Sequence, residues 1–347
     1  MSEPIPLVKE PVRLRPTLEQ RTRLRRLRKF KDGLSRYGVM AAGMAVVFSL
    51  GLIFFYLFFE IAPLFRGASV EVVKTYTPEA LHQAPEDKTE FLTLERYEEI
   101  GGNFKRSGAV SFFTVDDGKT LLSAQMPKSE AAEFSVLATS TADHGLVAYG
   151  YSNGQVAIAK TEYELSYPND KRQITPSLEF PLGDQPIQLD EQGSALKVLA
   201  IQETSSGTLI GAVTADDRLL LGVFSSSSNL ITGAVTVEQE IFTLPALPQG
   251  VIATHMQIDE RAQHLVVATN KSQIILYKIV NPSAAERKEA VVVPHGKITA
   301  LQFLVGTGSL VVGTSEGHVS QWFLVRDPHN EYHVTHVRDF ESLEGAI

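Results

Sequence analysis

The chain has 347 residues, of which 44% are hydrophobic and 21% charged, and it contains no cysteine. This composition excludes wholesale disorder, and the lack of cysteine excludes disulfides, thiolate metal sites and a cysteine nucleophile. The formal net charge of -8 is unevenly distributed. Residues 1–37 carry 11 Lys and Arg against four Asp and Glu, a net charge of +7, whereas the remainder carries 21 against 36, a net charge of -15. A basic head therefore precedes an acidic body.

An uncharged run of 22 residues occupies positions 38–59, and twelve of its residues are Val, Leu, Ile or Phe. As a helix it would be about 33 Å long, enough for a hydrocarbon core of about 30 Å. A buried core helix rarely stays apolar on every face for six turns. A cleaved signal peptide has a shorter basic region, a shorter apolar stretch and a small-residue cleavage site. The run therefore predicts a single transmembrane helix.

The orientation of this helix follows from its flanks. Eight basic residues crowd the N-terminal side: Arg21, Arg23, Arg25, Arg26, Arg28, Lys29, Lys31 and Arg36. Cytoplasmic segments retain such an excess, so residues 1–37 are predicted to be cytoplasmic and everything after the helix extracytoplasmic. At this position the basic charge indicates contact with the lipid bilayer, and we expect no nucleic-acid partner. Leu24, Leu27, Phe30 and Leu34 recur at helical spacing and suggest a short amphipathic helix on the inner leaflet.

The rest of the chain changes texture near position 107. Residues 60–106 are charge-rich and weakly patterned, and we interpret them as a stalk or linker with short helices at residues 78–82 and 91–100. Residues 107–347 consist of short β-branched runs broken by Gly, Asp, Asn and Ser, which are typical of strands and turns.

A strand–turn–strand–turn–strand template recurs four times in this body. Its second strands are marked by Leu146, Leu209, Leu265 and Leu310, which lie 63, 56 and 45 residues apart. An apolar residue precedes each by nine or ten positions: Leu137, Leu199, Met256 and Leu301. Repeats of this length are typical of propeller blades, so the predicted fold is mainly β, a WD40-like β-propeller behind a single N-terminal transmembrane helix. Generic antiparallel β structure is the alternative.

The repeat also makes specific structural predictions. We expect Leu146, Leu265, Val267, Leu310 and Val312 to be buried strand residues. The pair Phe112 and Leu121 keeps the nine-residue interval but lies too close to the next copy to mark a full blade. The chain is expected to stop where the inner strand of another blade should begin, which leaves the propeller incomplete. The alternative is a natural stop, with a closing strand supplied by residues 107–124.

No set of residues converges on a chemical role. His329, His333 and His336 form the only histidine cluster, but the segment reads as a strand that directs His333 and His336 to opposite faces. Glycines at 306, 308 and 313 lack the Gly-Lys-Ser/Thr ending of a phosphate loop, and Asp116, Asp117, Asp216 and Asp217 fall at predicted turns. We therefore predict no catalytic, cofactor-binding or metal-binding residues and no enzyme activity.

Residues 28–65 resemble the start of the long-form PstC-type permeases of bacterial phosphate ABC transporters. The resemblance is carried by the basic segment, by Ile53-Phe54-Phe55-Tyr56-Leu57 and by Pro63-Leu64-Phe65. In that family a large extracytoplasmic insert of WD40-like character follows the first span. The family's further membrane helices and ATPase-docking loop have no counterpart in this sequence, because no second apolar run of about 18 residues follows Phe59.

The resemblance implies a role in phosphate uptake. The chain would be the non-catalytic anchor and periplasmic domain of an inner-membrane permease. Its partners would be a second permease subunit, an ATPase and a phosphate-binding protein. The alternative is an anchored periplasmic propeller that serves as a scaffold or assembly factor.

Overall fold

The computed structural model describes residues 18–65, 67, 72, 74–76, 78, 87–129, 132–141, 143–205, 207–228, 235–281, 284–306 and 308–347. The chain divides into two compact units, Met1–Thr75 and Tyr76–Ile347.

The first unit contains one long helix, α1 (Leu18–Ile61), followed by a short 3-10 helix at Ala62–Phe65. The predicted membrane helix at residues 38–59 lies within α1, which is the one described helix long and apolar enough to cross a membrane. Its large apolar side chains from Val39 to Phe59 are all exposed, as lipid-facing side chains would be. The helix ends two residues before Pro63, because proline cannot continue the backbone hydrogen-bond ladder.

The basic segment belongs to the same helix. Leu24, Leu27, Phe30 and Leu34 lie in α1, which runs from the basic segment into the apolar run without a break. The predicted helical conformation is confirmed, but as the first part of α1 and not as a separate short helix. No proline lies between Leu18 and Ile61, and residues 18–36 are rich in Leu, Arg and Lys, which favour a continuous helix. Its placement on the inner leaflet stays a prediction.

The second unit consists of five antiparallel sheets in which consecutive strands pair as a meander. Sheet A contains β1 (Thr89–Leu94), β2 (Ile100–Lys105), β3 (Ala109–Thr114) and β4 (Thr120–Gln125). Sheet B contains β5 (Phe134–Thr139), β6 (Leu146–Tyr151), β7 (Gln155–Ser166) and β8 (Gln173–Glu179), with a 3-10 turn at Pro168–Asp170 and the short β9 (Ile187–Gln188) paired to β7.

The other three sheets follow in chain order. Sheet C contains β10 (Leu196–Thr204), β11 (Gly207–Thr214), β12 (Leu219–Ser228) and β13 (Val235–Thr243). Sheet D contains β14 (Ala253–Ile258), β15 (His264–Thr269), β16 (Gln273–Asn281) and β17 (Ala284–Val292). Sheet E contains β18 (Ile298–Phe303), β19 (Ser309–Thr314), β20 (Val319–Arg326) and β21 (Tyr332–Asp339).

The repeat predicted from the sequence is confirmed in sheets B to E. The first anchors Leu137, Leu199, Met256 and Leu301 lie in the first strand of each sheet, and the second anchors lie in the second strand. All five residues predicted to be buried are at most 1% exposed: Leu146, Leu265, Val267, Leu310 and Val312. Phe112 and Leu121 lie in β3 and β4, the third and fourth strands of sheet A, which explains why their spacing to the next copy was too short.

The boundary of the linker is a correction. Sheet structure begins at Thr89 and not at position 107, so β1 and β2 occupy part of the predicted stalk. The helix predicted at residues 91–100 is wrong, because these residues form most of β1, a turn and the first residue of β2. The predicted helix at residues 78–82 lies, apart from Pro78, outside the described residues.

Four apolar clusters join successive sheets. The first lies between sheets A and B, the second between B and C, the third between C and D, and the fourth between D and E. Among the described residues no such cluster joins sheet E to sheet A. The first strands of all five sheets line one cavity of about 260 Å³, to which Phe91, Leu137, Leu199, Met256 and Gln302 each contribute. Successive meanders around a common channel are the arrangement of β-propeller blades.

Candidate functional site

The junction between sheets A and B differs from the junctions that follow it. At the later junctions the first strands pack directly together, β5 on β10, β10 on β14 and β14 on β18. Sheets A and B are joined instead through later strands, where Phe104 and Phe112 pack in one cluster with Tyr149 and Tyr151. A cavity of about 1000 Å³, here called the A–B cleft, lies between β1 and the first strands of sheet B. This volume is at the upper end of the range for ligand sites.

The A–B cleft is polar on one side and mixed on the other. Sheet A contributes Phe91, Thr93, Leu94, Glu95 and Arg96 from β1 and the turn after it. Sheet B contributes the hydroxyl-bearing residues Thr139, Ser140, Thr141, Thr161 and Tyr163 and the ionisable residues Asp143, His144, Lys160 and Glu162. Gln302 of β18 lines both this cleft and the cavity of about 260 Å³ that the first strands of the five sheets surround, so the two cavities adjoin.

Glu95 is the most unusual residue of the cleft. It lies in the turn between β1 and β2 and is only 5% exposed. Its carboxylate accepts hydrogen bonds from the backbone N–H groups of Tyr97 (2.6 Å) and Glu99 (2.8 Å), which close the turn. Within the part of the chain that the structure describes, no Lys, Arg or His forms an ion pair with this carboxylate. The burial of this carboxylate is therefore compensated by backbone N–H groups and not by a cation.

Tyr163 adds a buried hydroxyl group without a hydrogen-bond partner among the described residues. Its ring packs edge-to-face on Phe112, with centroids 6.0 Å apart. Burial, and to a smaller extent the negative charge of Glu95, raises the pKa of Tyr163 to about 12. The phenol is therefore neutral at physiological pH and can donate a hydrogen bond to a ligand.

The charged residues at the edge of the cleft are already paired. Lys160 Nζ lies 3.1 Å from Glu162 Oε1 and 3.4 Å from Glu203 Oε2, and His144 Nδ1 lies 3.3 Å from the same Glu203 oxygen. Burial opposes the charged form of Lys160, but its hydrogen bonds and charge interactions with Glu162 and Glu203 outweigh this, so the pKa of its ammonium is raised. This cation is therefore engaged within sheets B and C.

The charge of the cleft lining disfavours an anionic ligand. Three carboxylates, from Glu95, Asp143 and Glu162, face two permanent cations, from Arg96 and Lys160. The lining thus carries a net negative charge, which repels phosphate. The Ser140 hydroxyl donates to the Thr141 carbonyl and accepts from a backbone N–H, while His144 faces a carboxylate, so neither activates the other.

The histidines singled out in the sequence do not converge. His329 lies in the turn before β21, whereas His333 and His336 lie on β21. His333 Nδ1 is 3.1 Å from a Glu289 oxygen, and His336 Nε2 is 2.8 Å from an Asp339 oxygen. Within the described ranges, no group of three or more His, Asp or Glu side chains has the geometry to hold a metal ion.

The other candidate motifs form turns and strand ends. Asp116 and Asp117 lie in the β3–β4 turn, and Asp216 and Asp217 lie in the β11–β12 turn. Asp117 accepts the backbone N–H of Lys119 at 3.1 Å, as a turn residue does. Residues 313 and 314 end β19, and of the turn at 306–309 position 307 is outside the described residues.

Sequence reasoning missed Glu95 and Tyr163. Glu95 was assigned to the linker, and Tyr163 is 68 positions further along the chain, so only the packing of sheet A on sheet B brings them to one cleft. One signal was available. An acid stands five residues before the first residue of the second strand in sheet A (Glu95 and Ile100) and again in sheet D (Asp259 and His264).

The chain was compared with known proteins. No protein-family model and no curated protein matches it. Among solved structures, the β-propeller domain of Cps50 (Swd1) from Myceliophteria thermophila is similar, with 10% identity and a TM-score of 0.47, over 73% of this chain and 72% of that chain. The Dos1 propeller is similar with 13% identity and a TM-score of 0.43, over 75% and 72% of the two chains.

Proposed function

We propose that this chain is a membrane-anchored, extracytoplasmic propeller that acts by binding a partner and catalyses no reaction. The observation that carries the proposal is the A–B cleft, which combines a large volume with a buried carboxylate that has no cationic partner and a buried phenol that has no hydrogen-bond partner among the described residues. Unsatisfied buried polar groups that line a cavity favour a ligand that supplies their partners.

In the proposed topology the chain is anchored in a bacterial inner membrane, with residues 1–37 in the cytoplasm and residues 66–347 in the periplasm. It is supported by the excess of Lys and Arg before the apolar part of α1. Reporter fusions after Pro11 and after Ser205 test it. Alkaline phosphatase should be active only in the second fusion, and activity in the first would reverse the orientation.

We further propose that the assembly is a phosphate-importing ABC transporter. The support is the resemblance of residues 28–65 to PstC-type permeases, together with a propeller after the membrane helix. A second permease subunit, an ATPase and a phosphate-binding protein would then be the partners. Because the A–B cleft has a net negative lining, it would bind a protein of the assembly and not the phosphate ion.

The assembly is tested in the native host. Deleting the codons for residues 87–347 in frame should lower the uptake of radiolabelled phosphate at limiting phosphate, while proline uptake, the control, stays unchanged. An affinity-tagged full chain should also co-purify the ATPase subunit from solubilised membranes. Unchanged phosphate uptake together with no co-purified ATPase would reject the transporter and leave the scaffold or assembly factor as the better hypothesis.

A further inference from the structure

The turns that follow β1 and β14 have the same construction. In each, the backbone N–H of an acidic residue donates to the carbonyl five positions later at 3.0 Å: Glu95 to Ile100, and Asp259 to His264. The residue three positions after each acid has a left-handed backbone, with φ values of 62° and 50°. The two acids are equally buried, at 5% exposure, and each carboxylate accepts two backbone N–H groups.

The two turns differ in the side chain that lies beside the acid. In sheet D the His264 imidazole lies 3.2 Å from the Asp259 carboxylate and is itself 3% exposed, so the acid has an ionisable partner within the same hairpin. In sheet A the equivalent position is Ile100, which has no charge to offer. Where the sheet D acid has an imidazole, the sheet A acid faces the A–B cleft.

From this difference we propose that the A–B cleft binds a polypeptide segment of the partner through one Lys or Arg side chain, whose cationic group pairs with Glu95. The proposal rests on the proposed binding function and names the chemistry of its ligand. The same cation lies close to the Tyr163 hydroxyl, which donates a hydrogen bond to the bound segment. Phe91 and Leu94 line the same cleft as Glu95 and can cover the apolar stem of the side chain.

Among the described residues, the neighbouring cations do not take this place, and Arg172 pairs with Glu99 of the same turn. Lys160 is held by Glu162 and Glu203. Arg96 is exposed, and within the described residues no ion pair joins it to Glu95. A cation from outside is therefore attracted both by the single buried carboxylate and by the net negative lining.

A polypeptide fits the cleft better than a small amine. The cavity of about 1000 Å³ is far larger than one ammonium ion needs. Threonine hydroxyls line its sheet B wall, and Thr139 can contact the main chain of an extended segment. Thr161 already donates to the Gly145 carbonyl and Thr141 already accepts from Gln202, so each of these two hydroxyls has one further hydrogen bond to offer. Binding through one charged anchor and several neutral contacts is a common mode of peptide recognition.

The full chain in nanodiscs at low ionic strength is the material for the test. The probes are alanine pentapeptides, trifluoroacetylated and amidated, with lysine, arginine, norleucine or glutamate at the centre, and binding is followed by fluorine NMR. The lysine and arginine peptides should bind at least about tenfold more tightly than the norleucine and glutamate peptides, as a hydrogen-bonded charge pair predicts. n-Butylammonium, which supplies the cation without the main chain, should bind more weakly than the lysine peptide.

Three variants test which residues of the chain cause the preference for the lysine peptide. Glu95→Gln should bind the lysine and norleucine peptides equally, Tyr163→Phe should weaken the lysine peptide several-fold, and Asp184→Asn, which removes an exposed carboxylate elsewhere, should change nothing. Peptide binding is compared only for variants whose unfolding midpoint equals that of the unaltered chain. If Glu95→Gln does not fold, the comparison of norleucine with lysine on the unaltered chain and the Tyr163→Phe variant still decide.

Several outcomes would overturn the inference. Equal binding of the norleucine and lysine peptides to the unaltered chain would show that the ligand cation has no role in binding. A lysine preference that persists in Glu95→Gln would show that Glu95 is not the carboxylate that pairs with it. Butylammonium that binds as tightly as the lysine peptide shows a small-molecule site. None of these results affects phosphate uptake or ATPase co-purification, so this inference and the proposed function can fail separately.

Discussion

Arg218 secures the segment that connects sheet B to sheet C, and its removal should be costly. Its guanidinium donates two hydrogen bonds to the carboxylate of Asp190, at 2.7 and 2.9 Å, and a third to Asp216 at 2.6 Å. Asp190 is 2% exposed, and its own backbone N–H donates to Gly154 of sheet B. The pKa of the Asp190 carboxyl is lowered mainly by the hydrogen bond from Arg218. This ion pair thus stabilises a buried loop.

Replacing Arg218 by methionine keeps the apolar stem and removes the charge. Asp190 would then retain only the backbone N–H groups of Ser194 and Gln192 as donors, at 2.8 and 3.3 Å. Breaking a buried pair by removing one partner costs about 3–5 kcal/mol. Because the Arg218 side chain is 22% exposed, water can replace part of the interaction, and we expect Arg218→Met to lose about 2–4 kcal/mol.

Urea denaturation measures this loss. Circular dichroism reports all five sheets, and the fluorescence of Trp322, the single tryptophan, reports the junction of sheets D and E. The double variant Asp190→Asn/Arg218→Met should recover part of the stability, because no charge is then left buried. As the pKa of Asp190 is depressed, its contribution is present above about pH 4 and is lost as the pH falls through the native pKa. A loss below about 0.5 kcal/mol at neutral pH, or no recovery in the double variant, would refute the reasoning.

Three further predictions concern sheets D and E. Leu310→Ala should lower the free energy of unfolding by about 2–5 kcal/mol, because Leu310 is fully buried, and a change below about 0.5 kcal/mol in urea denaturation would contradict its place in the core. The hydrogen bond to Glu289 raises the pKa of His333, so the stabilisation by this imidazole is complete below about pH 6.5 and is lost at higher pH. His333→Gln should therefore cost more stability at pH 5.5 than at pH 8.5, and equal costs would exclude the pair. Gly317→Ala should cost about 1–3 kcal/mol, because φ is +76° and a Cβ there would lie 1.9 Å from the Leu343 carbonyl oxygen, and an unchanged thermal midpoint would show that this contact relaxes freely.

The repeat could be predicted from the sequence because four sheets carry their apolar anchors at a constant interval of nine or ten residues between the first and the second strand. Leu265 and Leu310 are fully buried in second strands that pair on both sides, so their spacing is imposed by the blade itself. The first sheet was predicted only in part, because residues 60–106 are charge-rich and weakly patterned, and Gly101 and Gly102 add to this weak pattern. Both glycines lie in β2, where a Cβ would approach the Phe113 ring and the Thr93 methyl to 2.6 Å. Glycine there permits close packing within a strand, which the sequence cannot distinguish from glycine in a turn.

The candidate site could not be predicted from local pattern, because its chemistry depends on a difference between equivalent hairpins. An acid in a β-turn is ordinarily explained by the backbone N–H groups that it accepts, and Glu95 and Asp259 both satisfy that explanation. Only the structure shows that one of them has an imidazole beside it while the other lines a cavity.

The charge of the A–B cleft also limits what a phosphate importer could use this propeller for. A phosphate site needs several donors and positive charge directed at one point, as a backbone nest or an arginine cluster provides. Here the exposed cation Arg96 lines the same wall as Glu95, and the other cation, Lys160, is neutralised by two glutamates. Under the proposed function we therefore expect the A–B cleft to bind a basic segment of a partner protein, and we expect phosphate itself to be bound by another protein of the assembly.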